Sequence, residues 1–353
     1  MSAQLEVYPD IDVPLSQPTI AEQYLTAIDM PNALREARQR SQITSQEFVH
    51  ETRPFWVTTY MPTDGLRTWR DDEGKQVHYP HLLLAHGVAS DARFFDSFYQ
   101  KLNKLGIGCS AITLPKEHHV IFNGEELLEW QAGALVHAHN ELREQLDNTQ
   151  IILGGHSRGT IVAIHAKKQL RELQRDSEEA GLLLMAPAGL EKPTPRRFAR
   201  AILNLTVLGF NTIRNTDTFR EMGNIGLMLA ENLTHNPEQT ALEAVQALGY
   251  DVSHILYEDF VDVPVLITAA EHDEFIDHEQ IMSLVKHAPH ANISFASVSS
   301  NHLMGERASE DIVSLADPRL LTGQVLAWQQ SRIPNYSPLS VRSDDGSVHR
   351  LVS

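Results

Sequence analysis

The chain has 353 residues, 42% hydrophobic and 21% charged, the composition of a folded globular protein rather than a disordered or fibrous one. Its 29 Lys and Arg against 46 Asp and Glu leave a formal charge of -17, a field that repels nucleic acid and anionic membrane, so no nucleic-acid partner is expected. A single cysteine, Cys109, excludes an internal disulfide, and no apolar stretch approaches the ~20 residues that span a bilayer, so no stable membrane insertion is expected.

The start, MSAQLEVYPDIDVPLSQ, lacks the basic and apolar regions of a secretory signal, and the expected location is cytoplasmic. Residues 1–52 read as a polar extension with a helical pattern interrupted by Pro31. From Phe55 the texture changes. PFWVTTYMP and GLRTWRDD, followed by the turn-like EGK, read as two antiparallel strands.

Short apolar runs then alternate with longer amphipathic segments: HLLLAHG, CSAITLP, QIILGGHS, GLLLMAPAG, VPVLITAAE and NISFASV. Cys109 sits within the second of these and reads as a small buried residue. Continuous Val, Ile and Leu runs separated by helices are what a parallel sheet covered on both faces requires, so the predicted fold is α/β, a mostly parallel, doubly wound sheet. ELLEWQAGALVHAHNELREQL and GTIVAIHAKKQLRELQR are the helices expected before and after the QIILGGHS strand. Residues 191–260 break the rhythm with helix-like RRFARAILNLTVLG, IGLMLAENL and PEQTALEAVQALG, and read as an inserted helical cap. The predicted core is 53–190 together with 261–332, and 333–353 reads as a loosely held tail.

The chemistry concentrates at GHSRG, residues 155–159, a G-x-S-x-G pattern between a strand and a helical segment. There a serine sits on a sharp strand-to-helix turn, and Gly155 and Gly159 remove the side chains that would clash with it, so that the Ser157 hydroxyl can project. The turn also aims a helix N-terminus at the serine, where backbone N–H groups can meet a developing oxyanion. A serine hydroxyl is a weak nucleophile until a base takes its proton, so a histidine and an orienting carboxylate are required. VPVLITAAEHDEFID places Asp273 just beyond one predicted strand, and SFASVSSNHLMGERASE places His302 just beyond the next. In an open parallel sheet the carboxyl ends of the strands share one edge, where Ser157, Asp273 and His302 would converge.

Other residues have plainer readings. Asp262, Glu271, Glu274 and Asp277 read as solvated loop carboxylates, while Glu191 is a second candidate for the acid. His118 with His119, and His137 with His139, resemble metal pairs, but helix positions two apart do not share a face and no Cys or Asp cluster joins them, so no metal site is expected. His156 reads as a packing residue and His272 as a loop residue. The chain lacks G-x-x-x-x-G-K-S/T, so nucleotide binding is not supported. Phe198, Ile202, Leu205, Leu208, Phe210, Met222, Leu227 and Met228 offer a lining for a lipophilic acyl pocket but read mainly as residues that hold the cap together, and Arg196, Arg197 and Arg200 read as a solvated basic face.

HG at 86–87, GHSRG at 155–159, EHDEFIDHE around Asp273 and NHLMGER around His302 together resemble the α/β-hydrolase superfamily, in its form with a helical cap between the sixth and seventh strands. The resemblance spans roughly 54–330. It implies Ser157 as nucleophile, His302 as general base and then acid, Asp273 as the carboxylate orienting His302, and backbone N–H groups of Val88 and Arg158 as the oxyanion hole, with Gly87, Gly155 and Gly159 as motif glycines. Two positions depart from the pattern: Arg158 stands where Met or Gln is frequent, which bears on the charge of the pocket, and Thr160 where a second glycine is common. The implied activity is a serine hydrolase that cleaves small or medium-sized carboxylic esters through an acyl-enzyme, without metal or organic cofactor, and its implied partner is a small-molecule acyl ester. The same triad serves acyltransferases, cofactor-free perhydrolases and carbon–carbon bond hydrolases; a ligand-binding scaffold would be expected to have lost one of the three residues.

Overall fold

The computed structural model describes residues 41–113 and 124–190 with short gaps, 237–298 with short gaps, and two short strands at 341–342 and 348–349. Its centre is an eight-stranded sheet in the order β1-β2-β6-β5-β7-β8-β9-β10. The strands are β1 (Ser41–His50), β2 (Arg53–Pro62), β5 (His81–Ala85), β6 (Cys109–Thr113), β7 (Ile151–His156), β8 (Glu179–Met185), β9 (Val265–Ala270) and β10 (Ile293–Val298), with β3 (Thr68–Arg70) and β4 (Gln76–His78) forming a separate ribbon. From β6 to β10 every neighbouring pair is parallel.

All six predicted apolar runs are strands of this sheet, and β5, β7 and β9 are buried at every position. Burial on both faces is why these strands carry no polar alternation. The antiparallel end differs from expectation. PFWVTTYMP does not pair with GLRTWRDD: β2 pairs with β1 on one side and β6 on the other, while Thr68–Arg70 pairs with Gln76–His78. The sheet thus begins at Ser41, inside the segment read as a polar extension. SQITSQEFVH escapes notice because an edge strand exposes much of itself, and Gln46 and Glu47 are among its exposed residues.

Helices α1 (Gly124–Gln145), α2 (Gly159–Glu172), α3 (Pro237–Gly249) and α4 (His278–Lys286) complete the described layers. α2 is enclosed: Thr160, Ile161, Val162, Ala163, Ile164, Ala166, Lys167 and Leu170 are all buried, a pattern too broad for a surface helix and suited to one wedged between the sheet and α1. β1 and β2 are fastened to α1 by aromatic contacts. The Phe48 and Phe55 rings stack at 5.6 Å, and the His137 ring meets Phe55 edge-on at 5.7 Å. His137 also lies 3.8 Å from Glu141, whereas His139 is fully buried, so the two histidines occupy different faces of α1.

Across the sheet interior runs a polar chain. His81 Nε2 shares a hydrogen bond of 2.7 Å with Ser110 Oγ, which lies 2.8 Å from Thr59 Oγ1, linking β5, β6 and β2. Burial holds the His81 imidazole neutral, lowering its pKa to about 3. Its folded pKa thus lies below the ~6.5 of an unfolded histidine. In the window between those values the unfolded chain binds the extra proton, so stability is complete above it and falls as pH drops through it. Urea unfolding across that window is expected to show a shallower pH slope in His81→Gln than in wild type, by up to ~1.4 kcal/mol per pH unit. Equal slopes would show that His81 carries no such linkage.

Candidate active site

β7 ends in an apolar strand whose last residue, His156, hands the chain to Ser157. Ser157 has φ +54°, a left-handed conformation costly for a residue with a side chain, and it is 9% exposed. The turn is held on several sides. Ser157 N–H donates to Met185 O at 2.9 Å at the end of β8, and Ser157 O accepts from Ala188 N at 3.2 Å. The Thr160 hydroxyl lies 2.6 Å from Ser157 O and 2.9 Å from Ala188 O. Thr160, a departure from the glycine-rich pattern, therefore fastens the turn to the loop after β8.

The flanking glycines are there for space. A methyl group on Gly155 would collide with the Gly159 carbonyl and come within 2.5 Å of Thr160 N, and one on Gly159 would collide with Ala85 O and reach 2.7 Å from His86 O. Strand and helix cross here backbone against backbone. Gly87 completes the arrangement: a methyl group there would sit 3.2 Å from Ser157 Cβ, so the loop after β5 lies directly against the serine. Val88 follows, half-buried. In the turns and loops among the described residues, neither the Val88 nor the Arg158 N–H donates to a backbone acceptor. His156 is a packing residue, its ring stacked on Phe94 at 4.8 Å.

Asp273 stands beyond the carboxyl end of β9, at the sheet edge where β7 delivers Ser157. It is 8% exposed, and its Oδ1 accepts from the backbone N–H of Phe275 at 2.7 Å and Ile276 at 2.8 Å, which fixes the carboxylate. Asp277 has a different job: its Oδ1 accepts from Glu279 N at 3.1 Å and Gln280 N at 3.3 Å, capping α4. β10, parallel to β9, ends at Val298 on the same edge. His302, Glu191, Asp262, Glu271, His272, Glu274, His118, His119 and the apolar and basic residues at 196–228 lie outside the described residues. Among the described residues no three His, Cys, Asp or Glu side chains gather as a metal site. Cys109 is buried, which pushes its thiol well above the ordinary range.

The least legible part of the site is Arg158. Its side chain is 1% exposed and enters a polar cluster between α1 and α3. Nε donates to Gln246 Oε1 at 2.7 Å, Nη2 donates to Gln131 Oε1 and Gln246 Oε1, and Nη1 lies 3.6 Å from Glu243 Oε1. Gln131 Nε2 and Gln239 Nε2 donate to the same Glu243 oxygen at 3.1 and 3.2 Å. Burial lowers the guanidinium pKa, and Glu243 and Tyr250 oppose that shift. The charge is thus neutralised inside the protein. Gln131, Glu243 and Gln246 carry only one sequence signal: Glu243 and Gln246, three apart, share a helix face with apolar neighbours.

The sequence profile of the Alpha/beta hydrolase family matches residues 82–315. The chain belongs to this family, whose membership supports a hydrolase. No curated protein matches the sequence. The fold is similar to that of 2-hydroxy-6-oxo-6-phenylhexa-2,4-dienoate hydrolase from Rhodococcus sp. strain RHA1, with a TM-score of 0.55 and 14% identity over 80% of this chain and 99% of that one. It is similar too to an esterase of Pyrobaculum calidifontis, with a TM-score of 0.52 and 15% identity over 89% of this chain and 93% of that one. Among the described residues no helix is long and apolar enough to cross a membrane.

Two substitutions test the geometry by urea unfolding. Gly159→Ala, which drives a methyl group into the Ala85 carbonyl, is expected to cost ~1–3 kcal/mol. Glu243→Ala leaves the Arg158 charge buried opposite a void and is expected to cost ~3–5 kcal/mol. An unchanged urea midpoint in either would contradict the contact concerned.

Proposed function

We propose that the protein is a serine hydrolase of small or medium-sized carboxylic esters, with Ser157 as nucleophile, His302 as general base and acid, and Asp273 as the carboxylate that orients His302. The observation that carries this reading is the left-handed Ser157, at the end of β7 and under the Gly87 loop. A non-glycine residue is kept in that conformation only where its surroundings impose it, and the backbone crossing at Gly155 and Gly159 does so. A hydroxyl presented this way, at the start of a helix and beside two backbone N–H groups, suits attack on a carbonyl.

In the proposed cycle His302 takes the Ser157 proton as Oγ bonds to the carbonyl carbon, and the oxyanion accepts from the Val88 and Arg158 N–H groups. Collapse breaks the ester bond, and the departing alcohol takes the proton from His302. Water then gives a proton to His302 as its oxygen attacks the acyl carbon, and that proton returns to Ser157 Oγ when the acid leaves. The protein's own groups suffice for every step. Since Glu243 holds the Arg158 charge away from solvent, the pocket is suited to a neutral ester.

Mass spectrometry of the intact protein after exposure to a fluorophosphonate is expected to show one adduct in wild type and none in Ser157→Ala. On p-nitrophenyl esters of graded length, Asp273→Asn is expected to lower kcat by roughly 10³–10⁴. A folded wild type that takes no adduct would overturn the reading. Acyl transfer to an added alcohol in preference to water would redirect it to an acyltransferase.

A further inference from the structure

We propose that Arg158 is a positioning residue for the nucleophile turn: its buried guanidinium, held by Glu243 and Gln246 of α3 and Gln131 of α1, fixes the backbone N–H that the same residue offers to the oxyanion. This rests on the serine-hydrolase reading. Arg158 joins two structures in one residue, since its main chain follows Ser157 directly and its side chain ends in the polar cluster between two helices.

The turn is a sharp one. Ser157 stands at φ +54°, and the next residue already has helical angles, φ -56° and ψ -31°. The direction of the Arg158 N–H is set by the peptide between them. On one side that peptide is held through its carbonyl, Ser157 O, which accepts from Ala188 N at 3.2 Å, Thr160 N at 3.1 Å and the Thr160 hydroxyl at 2.6 Å. On the other, Arg158 O accepts from Ile161 N at 2.9 Å, and the guanidinium donates from Nε and Nη2 to Gln246 Oε1 and from Nη2 to Gln131 Oε1, with Nη1 3.6 Å from Glu243 Oε1. Main chain and side chain thus clamp the same residue from opposite directions.

Stability alone does not call for an arginine here. Replacing a buried ionic cluster by apolar groups of similar volume is often neutral or stabilising, because desolvation of the charges offsets their attraction. What Arg supplies, and an apolar chain does not, is a planar fork whose orientation its acceptors determine. Gln131, Glu243 and Gln246 are all buried and present oxygen atoms to that fork from two different helices. Orientation matters at this position because a donor must point at the oxyanion, and a displacement near 1 Å costs up to ~100-fold in rate.

The test compares wild type with Arg158→Met, Arg158→Lys and Gln246→Leu, assayed on a p-nitrophenyl ester under conditions where circular dichroism shows each to be folded. Arg158→Met is expected to lower kcat by roughly 10- to 100-fold with KM changed by less than about threefold, and to slow fluorophosphonate labelling of Ser157 in parallel. Arg158→Lys restores the charge without the fork and is expected to recover only part of the loss. Gln246→Leu keeps the arginine and removes an acceptor; a smaller fall in kcat at unchanged KM is expected, and this variant with Glu243→Gln carries the test if Arg158→Met does not fold. Wild-type kcat and labelling rate in the folded variants, with only the urea midpoint lowered, would overturn the proposal and leave the hydrolase reading standing. A wild type that neither hydrolyses esters nor labels would overturn both.

Discussion

Everything at the site depends on how closely α2 approaches the sheet. Where β7 turns into the helix, the main chain of Gly159 rests on the Ala85 carbonyl and against Gly155, with no room for a single methyl group. That contact brings together the ends of β5 and β7 and the first turn of α2. It forces the residue between strand and helix into a left-handed conformation, and the residue there is a serine. A wider crossing would relax the turn and withdraw the serine from the Gly87 loop.

The second constraint is electrostatic. On a protein of net charge -17, a cation placed directly after the serine would dominate the field of the pocket if it faced outward. The fold turns it inward, and a carboxylate and two amides take up its donors. The same contacts hold α3 against α1 and the Ser157–Arg158 turn. α3 belongs to the segment read from sequence as a cap, and its Glu243 and Gln246 reach the side chain of the residue that follows the serine.

The parallel half of the sheet was plain in the sequence because its strands are buried on both faces and spell uninterrupted Val, Ile and Leu. GHSRG was equally plain, since each glycine answers a specific collision. The antiparallel end was not. β2 alternates buried and half-buried positions, a pattern that fits any antiparallel partner, and nothing local distinguishes GLRTWRDD from SQITSQEFVH as that partner. Pairing between strands is settled by the packing of Phe48 and Phe55 on α1, a long-range contact. What Arg158 does to the charge of the pocket was not legible for a related reason: the buried acceptors that take up its donors lie on two distant helices. Asp273 was picked out by its place after a strand, and the structure describes it just beyond β9 with its Oδ1 accepting from Phe275 and Ile276 N–H.

The strand order also sets a sequence of events for the nascent chain. β1 and β2 are made first and pair with each other through ten matched positions, from Ser41 with Pro62 to His50 with Arg53. The inner edge of β2, however, belongs to β6, and Thr113 is the last of its partners to be synthesised. Until then the inner edge of β2 is open as well as the outer edge of β1, and a lone two-stranded ribbon is marginal in water. Its register against β6 can therefore be set only once β5, which precedes β6 in the chain, has been made as well. The outer half of the sheet's antiparallel end is thus complete in sequence about fifty residues before the strand that joins it to the rest.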